Sequence, residues 1–129
     1  MDTRIIVDTT IWIEFFRTPQ STHSNHLKDL LRQRRVVMVG MVQAEIAQGV
    51  KDPKEAKLVL SSFAKLPYSE MTKERWQQAG GISASLRKKG TTLPLSDLII
   101  AAGAVAEGCE VYTLDPHFKR IPGVKIHQP

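Results

Sequence analysis

The sequence contains only one cysteine, Cys109, and no apolar run that approaches the roughly 18 residues of a membrane span. A single cysteine cannot form a disulfide within the chain, which favours a reducing compartment. The first ten residues, MDTRIIVDTT, lack an apolar signal core followed by a small-residue cleavage site. No segment repeats, and no linker divides the 129 residues. We therefore expect a single cytoplasmic domain over residues 1–129, with no membrane attachment.

Acidic residues are fewer than basic ones. The chain has 13 Asp and Glu against 18 Lys and Arg, so its net charge is +5. A positive balance favours polyanionic partners such as nucleic acids, although a basic domain need not bind them. Without four acids that we expect to share one pocket, 18 basic residues face nine acidic ones. The charge pattern thus predicts a basic surface around an acidic pocket.

Short apolar runs alternate with longer segments of helical periodicity. The runs at residues 5–7, 36–39 and 110–114, and a weaker one at 124–126, are typical of strands buried on both faces of a parallel sheet. The segments between them place apolar residues three and four positions apart, as amphipathic helices do. Residues 95–106 are apolar nearly all round, which predicts a buried helix. The pattern predicts an α/β domain of three layers, with a mostly parallel central sheet flanked by helices.

Four acidic residues fall at junctions between the predicted elements. Asp8 follows the first strand and Asp115 the third, while Glu45 and Asp97 lie near the starts of two helices. Because ligands bind beyond the carboxyl ends of parallel strands, we expect the four carboxylates to meet at that edge of the sheet. Each also has a structural alternative, as a turn or strand-end residue (Asp8, Asp115), a first-turn acid (Asp97) or a partly exposed helix residue (Glu45).

Four converging carboxylates would repel one another strongly unless some are protonated or a cation shares the pocket. Oxygen ligands without a nearby histidine or thiolate select a hard cation, and we expect Mg²⁺, with Mn²⁺ as a substitute. Such a cation would allow the pocket to accept a phosphodiester, polarise it and activate an attacking water. The acids therefore predict metal-dependent phosphodiester hydrolysis.

Four segments resemble motifs of the PIN-domain toxins of the VapC type. In chain order they are IVDTTIWIEFF (6–16), AEIAQG (44–49), LSDLIIAA (95–102) and YTLDPHF (112–118). The resemblance extends over the whole chain, and its first and third motifs are the most specific. It implies a Mg²⁺-dependent endoribonuclease, the toxin of a type II toxin–antitoxin pair, held in check by a VapB-type antitoxin.

The resemblance also implies residue roles. Asp8, Glu45, Asp97 and Asp115 take the acidic catalytic and metal-binding positions. Hydroxyls near the metal come from three supporting residues: Thr9, Thr10 and Thr113. No further acid follows Asp115 within three residues, so a fifth carboxylate found in some relatives is missing.

Residues outside these motifs suggest contacts with partners. We expect Lys119 and Arg120, close behind Asp115, to hold an RNA backbone without reading its sequence. His117 is assigned a packing or hydrogen-bonding role. His23 and His26 are interpreted as surface residues at a helix start.

Three large aromatics in the first predicted helix cannot all face one side of it: Trp12, Phe15 and Phe16. We expect some of them to meet a second copy, in a homodimer, or an antitoxin segment. Leucines at positions 27, 30 and 31 are predicted to line the groove that receives this segment.

Three other functions are alternatives to an RNA-cleaving enzyme. A receiver-like regulatory domain would need paired acids after the first strand, but Thr9 and Thr10 follow Asp8, and the middle strand ends at Gly40 without an Asp. A catalytically silent PIN-like RNA-binding module ranks below an enzyme because all four acids are present. A structure-specific DNA nuclease is the third alternative, and nothing in the sequence resembles the helical arch that such enzymes tend to add.

Overall fold

Four parallel strands form the central sheet of the computed structural model, which describes residues 3–129. They are β1 (Ile5–Val7), β2 (Val36–Val39), β3 (Tyr68–Ser69) and β4 (Glu110–Tyr112). Their order in the sheet is β3-β2-β1-β4. In the register, Ile6 lies opposite Val37 on one side and Val111 on the other. The two central strands, β1 and β2, are buried along their whole length, as their continuous apolar sequences predict.

Six α-helices flank the sheet within the described residues. They are α1 (Thr9–Arg17), α2 (Thr22–Arg32), α3 (Gly40–Gly49), α4 (Pro53–Phe63), α5 (Lys73–Lys88) and α6 (Leu95–Glu107). A short 3₁₀ helix follows β4 at Pro116–Arg120. The predicted α/β architecture with a mostly parallel sheet is confirmed. Among residues 3–129, no helix is both long and apolar enough to cross a membrane.

One predicted strand is wrong and one observed strand was not predicted. Residues 124–126 contribute only an isolated parallel bridge, between Val111 and Ile126. The fourth strand is instead β3, which pairs with β2 through Met38 and Tyr68. With two residues, one of them exposed, β3 is too short to produce an alternating or continuous apolar pattern. Strand β4 also ends two residues before the predicted limit.

Helix α6 crosses the core beside α5 and is buried on most of its surface, as predicted. It ends at Gly108, whose φ of 68° lies in the left-handed region that favours glycine. In α2, Leu27 and Leu30 are fully buried. The prediction that these two leucines line an open groove is therefore wrong, because α2 uses them to pack against the core.

His23 and His26 are half-buried and bonded, so their assignment as surface residues is wrong. Nδ1 of His23 lies 2.6 Å from the hydroxyl of Tyr112. Nε2 of His26 lies 2.8 Å from Nε2 of His127, whose Nδ1 lies 2.7 Å from Oε1 of Glu110. These contacts tie α2 to β4 and to the C-terminal residues.

Candidate active site

Asp8 lies at the carboxyl end of β1 and is only 3% exposed. Its backbone carbonyl accepts the first hydrogen bonds of α1, but its side chain does not cap the helix. Instead, Oδ2 accepts hydrogen bonds of 2.8 Å from the hydroxyls of both Thr10 and Thr113. The carboxylate is thus held in a fixed orientation at the edge of the sheet.

Asp97 and Asp115 meet around the imidazole of His117. Nδ1 of His117 lies 3.0 Å from Oδ2 of Asp97 and 3.1 Å from Oδ1 of Asp115. The possible ligand atoms of the three side chains lie within 4.8 Å of one another. Among residues 3–129, this is the one group of three or more acidic, histidine or cysteine side chains that is close enough to hold an ion.

Burial raises the pKa of the Asp97 carboxyl. A hydrogen bond from His117 partly opposes this effect, whereas the negative charges of Asp115 and Asp8 raise the pKa further. Asp97 lies in the first turn of α6, as its structural alternative predicted, but it is only 7% exposed and its side chain makes no capping hydrogen bond. Its ionised form is costly at this site unless a cation compensates it.

Asp115 has a structural role as well as its place in the acidic group. Its Oδ1 accepts a 2.9 Å hydrogen bond from the backbone N–H of His117. This bond caps the N-terminus of the 3₁₀ helix. The N–H of Asp115 donates to the hydroxyl of Thr113 at 2.9 Å. The turn predicted for Asp115 is therefore present, and the same turn directs its carboxylate toward Asp97.

Glu45 lies on α3, outside the group formed by Asp97, Asp115 and His117. The hydroxyl of Thr9 donates a 2.8 Å hydrogen bond to its Oε1. Because Thr9 directly follows Asp8, this bond brings the half-buried Glu45 to the same end of β1. The structure thus connects all four predicted acids. Asp97 and Asp115 meet directly around His117, whereas Asp8 is linked to Asp115 through the hydroxyl of Thr113. Glu45 is linked to the end of β1 through the hydroxyl of Thr9.

Lys119 and Arg120 are exposed on the 3₁₀ helix behind Asp115. A terminal nitrogen of Arg120 lies 3.4 Å from the hydroxyl of Thr91. The expectation that no histidine lies near the acids is wrong, because the fold brings His117 into contact with both Asp97 and Asp115. The hydrogen-bonding role of His117 was predicted, but the partner Asp97 is 20 residues away in the chain.

A pocket of about 310 Å³ lies beside Glu45, between α1, α3 and α4. Phe16, 42% exposed, and Ile13 line its apolar side, and Arg17 and Lys51 add positive charge. Trp12 is buried and stacks on Phe16 with ring centroids 6.1 Å apart. Phe15 also contacts both rings, with centroids 5.8 Å from Trp12 and 5.5 Å from Phe16, so the three aromatics form one cluster. The prediction that they cannot all face one side of α1 is therefore wrong, because positions three and four apart share a helix face. Phe16 is the most exposed of the three and the one most available to a partner.

The family model of the PIN domain matches residues 5–124 of the chain. The chain is 27% identical to Ribonuclease VapC11 from Mycobacterium tuberculosis over 118 residues, which cover 88% of each protein. It is 26% identical to Ribonuclease VapC2 from Rickettsia felis over 125 residues, 92% of each.

Solved structures share the fold. The Salmonella typhimurium VapBC complex bound to DNA matches with a TM-score of 0.82 at 24% identity, over 98% of each chain. Rickettsia felis VapBC2, bound to a promoter DNA fragment, matches with a TM-score of 0.81 at 23% identity, over 95% of this chain and 96% of that one.

Proposed function

The chain belongs to the PIN domain family, and from this premise we propose that it is a metal-dependent endoribonuclease that hydrolyses RNA phosphodiester bonds. The observation that carries the proposal is the convergence of Asp8, Asp97 and Asp115 at one edge of the sheet. His117 contacts Asp97 and Asp115, and Thr113 bonds to Asp115 and Asp8. The charges of Asp115 and Asp8 contribute to the raised pKa of Asp97. Relatives that match nearly the whole chain are named ribonucleases. Their names support RNA as the substrate.

The donor set fits a divalent cation. Asp8, Glu45, Asp97 and Asp115 would hold the ion, and carboxylate oxygens favour Mg²⁺, with Mn²⁺ as a substitute. When bound, the ion would polarise the phosphate and increase the acidity of an attacking water. Without a cation, several carboxylates close together in a half-buried pocket repel one another. This repulsion supports a bound cation as a component of the site.

The other residues of the site orient these ligands. Thr10 and Thr113 donate to the same oxygen of Asp8, and Thr9 donates to Glu45. Fixing a carboxylate by hydrogen bonds from hydroxyls reduces the ordering that metal or substrate binding would otherwise require. Lys119 and Arg120 are exposed near Asp115 and would hold the RNA backbone by charge alone.

We further propose that the protein is the toxin of a type II toxin–antitoxin pair and acts in the cytoplasm. Two structural relatives are VapBC complexes, which supports a VapB-type antitoxin as the partner. The pocket beside Glu45 offers apolar surface from Ile13 and Phe16, and Glu45 is the one candidate acid that lines it. An antitoxin segment with an apolar side chain and an arginine would match both features.

A homodimer is also proposed. Two exposed aromatics, Tyr68 and Trp76, flank a pocket of about 320 Å³ that lies near the start of α3. Exposed aromatic side chains beside a pocket are common at interfaces between proteins. Sedimentation of the purified chain should show a dimer, and Trp76→Ala should weaken it if this surface forms the contact.

Cleavage of RNA by the purified chain tests the proposed activity. After removal of metal with a chelator, we expect no cleavage, and Mg²⁺ or Mn²⁺ should restore it. Asp97→Asn should lower the rate by about 100-fold or more, whereas Asp29→Asn, at an exposed acid on α2, should not. Full activity in excess chelator, or in Asp97→Asn, would contradict the proposal. RNA binding without any cleavage would favour the catalytically silent module instead.

A further inference from the structure

His117 is the one nitrogen donor placed among the acids of the candidate site within residues 3–129. We propose that His117 supplies a nitrogen ligand to the ion and makes the site favour Mn²⁺ over Mg²⁺. This inference rests on the proposed function, because it assumes that the acids hold a divalent cation. It goes further by assigning a role in metal selection to a residue outside the four acids.

The distances around the imidazole are those expected of three ligands on one ion. Ligands at right angles around an octahedral ion, with bonds of roughly 2.1 Å, lie about 3.0 Å apart. Nδ1 of His117 lies 3.0 Å and 3.1 Å from the nearest oxygens of Asp97 and Asp115. Two of the three separations therefore match ligands on one ion, and all the ligand atoms lie within 4.8 Å of one another.

A single hydrogen bond from Nδ1 of His117 explains this arrangement less well than a shared cation does. Nδ1 carries at most one proton, but it faces carboxylate oxygens of both Asp97 and Asp115 at nearly equal distances. One N–H can point well toward only one of them. A cation bonded to all three atoms would satisfy both carboxylates and the nitrogen lone pair together.

The position of the ring is set by the chain, not only by these contacts. The backbone N–H of His117 donates to Oδ1 of Asp115 in the first turn of the 3₁₀ helix. This bond holds the backbone of His117 in a position from which its ring reaches Asp97. The side chain is 40% exposed, which leaves room for a small change of its angle. The remaining histidines, at positions 23, 26 and 127, are bonded elsewhere and do not compete for this role.

Nitrogen in the ligand set changes which ion the site favours. Mg²⁺ prefers an all-oxygen environment, whereas transition metals accept imidazole readily. Four carboxylates without a histidine would give Mn²⁺ a smaller advantage. We therefore expect His117 to increase the affinity for Mn²⁺ more than the affinity for Mg²⁺.

Pulsed electron paramagnetic resonance of bound Mn²⁺ tests the proposal on the unaltered protein. The full chain, stripped with a chelator, is loaded with Mn²⁺ alone, and a nitrogen coupling typical of a directly bonded imidazole is expected. Isotope labelling of the protein nitrogen should change that coupling. Bound Mn²⁺ without such a coupling would overturn the proposal, and this readout does not depend on whether any variant folds.

Two variants at position 117 separate a ligand from a hydrogen-bonding residue. Both His117→Ala and His117→Asn should lose the nitrogen coupling and about tenfold in Mn²⁺ affinity, with a smaller change for Mg²⁺. His117→Asn retains a side-chain hydrogen-bond donor, so a purely hydrogen-bonding role predicts near-normal Mn²⁺ affinity in this variant and would contradict the proposal. His23→Asn, away from the acids, should behave like the unaltered chain.

A third variant distinguishes failure of this proposal from failure of the proposed function. If Asp97→Asn abolishes Mn²⁺ binding but the unaltered protein shows no nitrogen coupling, the acids hold the ion and only the role of His117 is wrong. If the chain binds no Mn²⁺, or binds it equally well in Asp97→Asn, both the metal site and the role of His117 are wrong.

Discussion

Thr113 donates a 2.8 Å hydrogen bond to Oδ2 of Asp8, and so joins two segments that are 105 residues apart. Thr10 donates to the same oxygen, also at 2.8 Å. The hydroxyl of Thr113 in turn accepts from the N–H of Asp115 at 2.9 Å. One threonine thus positions the acid that follows β1 and the acid that follows β4.

Replacing Thr113 with valine should lower activity more than it lowers stability. The change keeps the shape of the side chain but removes the donor to Asp8 and the acceptor for Asp115. We expect a loss of about 1 kcal/mol in the free energy of unfolding and a 10- to 100-fold lower rate of RNA cleavage. Urea denaturation and a cleavage assay measure the two effects. Thr92→Val, at an exposed threonine, is the control and should change neither.

Asp97→Asn should be at least as stable as the unaltered chain in metal-free buffer at pH 7. Burial raises the pKa of Asp97, so its ionised form destabilises the folded state at neutral pH. Protonation removes this cost as the pH falls through the raised pKa, and the advantage of the variant should shrink accordingly. Urea denaturation at pH 7 and at about pH 4 tests both statements. A loss of several kcal/mol in the variant at pH 7 would instead indicate a structural role for Asp97.

The sequence was sufficient to predict the fold class and the edge at which the acids lie. Continuous apolar runs identified β1, β2 and β4, and parallel strands align their carboxyl ends. Asp8 and Asp115 could therefore be placed together from their positions after two strands. The strand β3 could not be predicted, because two residues at the margin of a sheet carry no periodic signal.

Contacts between distant side chains were beyond the sequence. His26 and His127 are 101 residues apart, and no local pattern indicates that α2 brings them within 2.8 Å. Leucines at helical spacing predict an apolar face, but not whether the core or a partner covers it. In α2 the core covers Leu27 and Leu30. The spacing of apolar residues thus identifies the buried face of a helix, but not the element or partner that packs against that face.

The pair formed by His26 and His127 should make the protein less stable in mild acid. Burial and the proximity of His127 lower the pKa of His26, with smaller effects from Asp29, which raises it, and from Arg35 and His23. Below about pH 6.5 the unfolded chain then binds more protons than the folded one, so stability falls as the pH decreases.

Denaturation midpoints between pH 7.5 and about pH 5 measure this loss. His26→Gln should show a smaller decrease than the unaltered chain, because the histidine whose pKa is lowered in the folded state is gone. His23→Gln removes a histidine from the same helix outside the pair and should retain most of the decrease. The same pH dependence in His26→Gln and in the unaltered chain would show that other groups cause it.

Binding of an antitoxin should depend on both the acids and Phe16. If an inhibitor places a cationic side chain among the carboxylates, neutralising Asp8 or Asp97 removes a negative charge that pairs with this cation. Phe16 lines the pocket beside Glu45 and is partly exposed, so Phe16→Ala removes apolar contact area from that pocket. We expect the aromatic variant to lose more affinity, about 2 kcal/mol or more if Phe16 is a central contact.

Calorimetry with the antitoxin encoded by a neighbouring reading frame measures these losses. Leu58→Ala is the matched control, because Leu58 is an exposed apolar residue that does not line this pocket. Thermal unfolding of each variant separates weaker binding from loss of the fold, which matters for Phe16 because Trp12 stacks on it. Unchanged affinity in both Asp97→Asn and Phe16→Ala would mean that an antitoxin binds another surface, and that any inhibition does not require access to the acids.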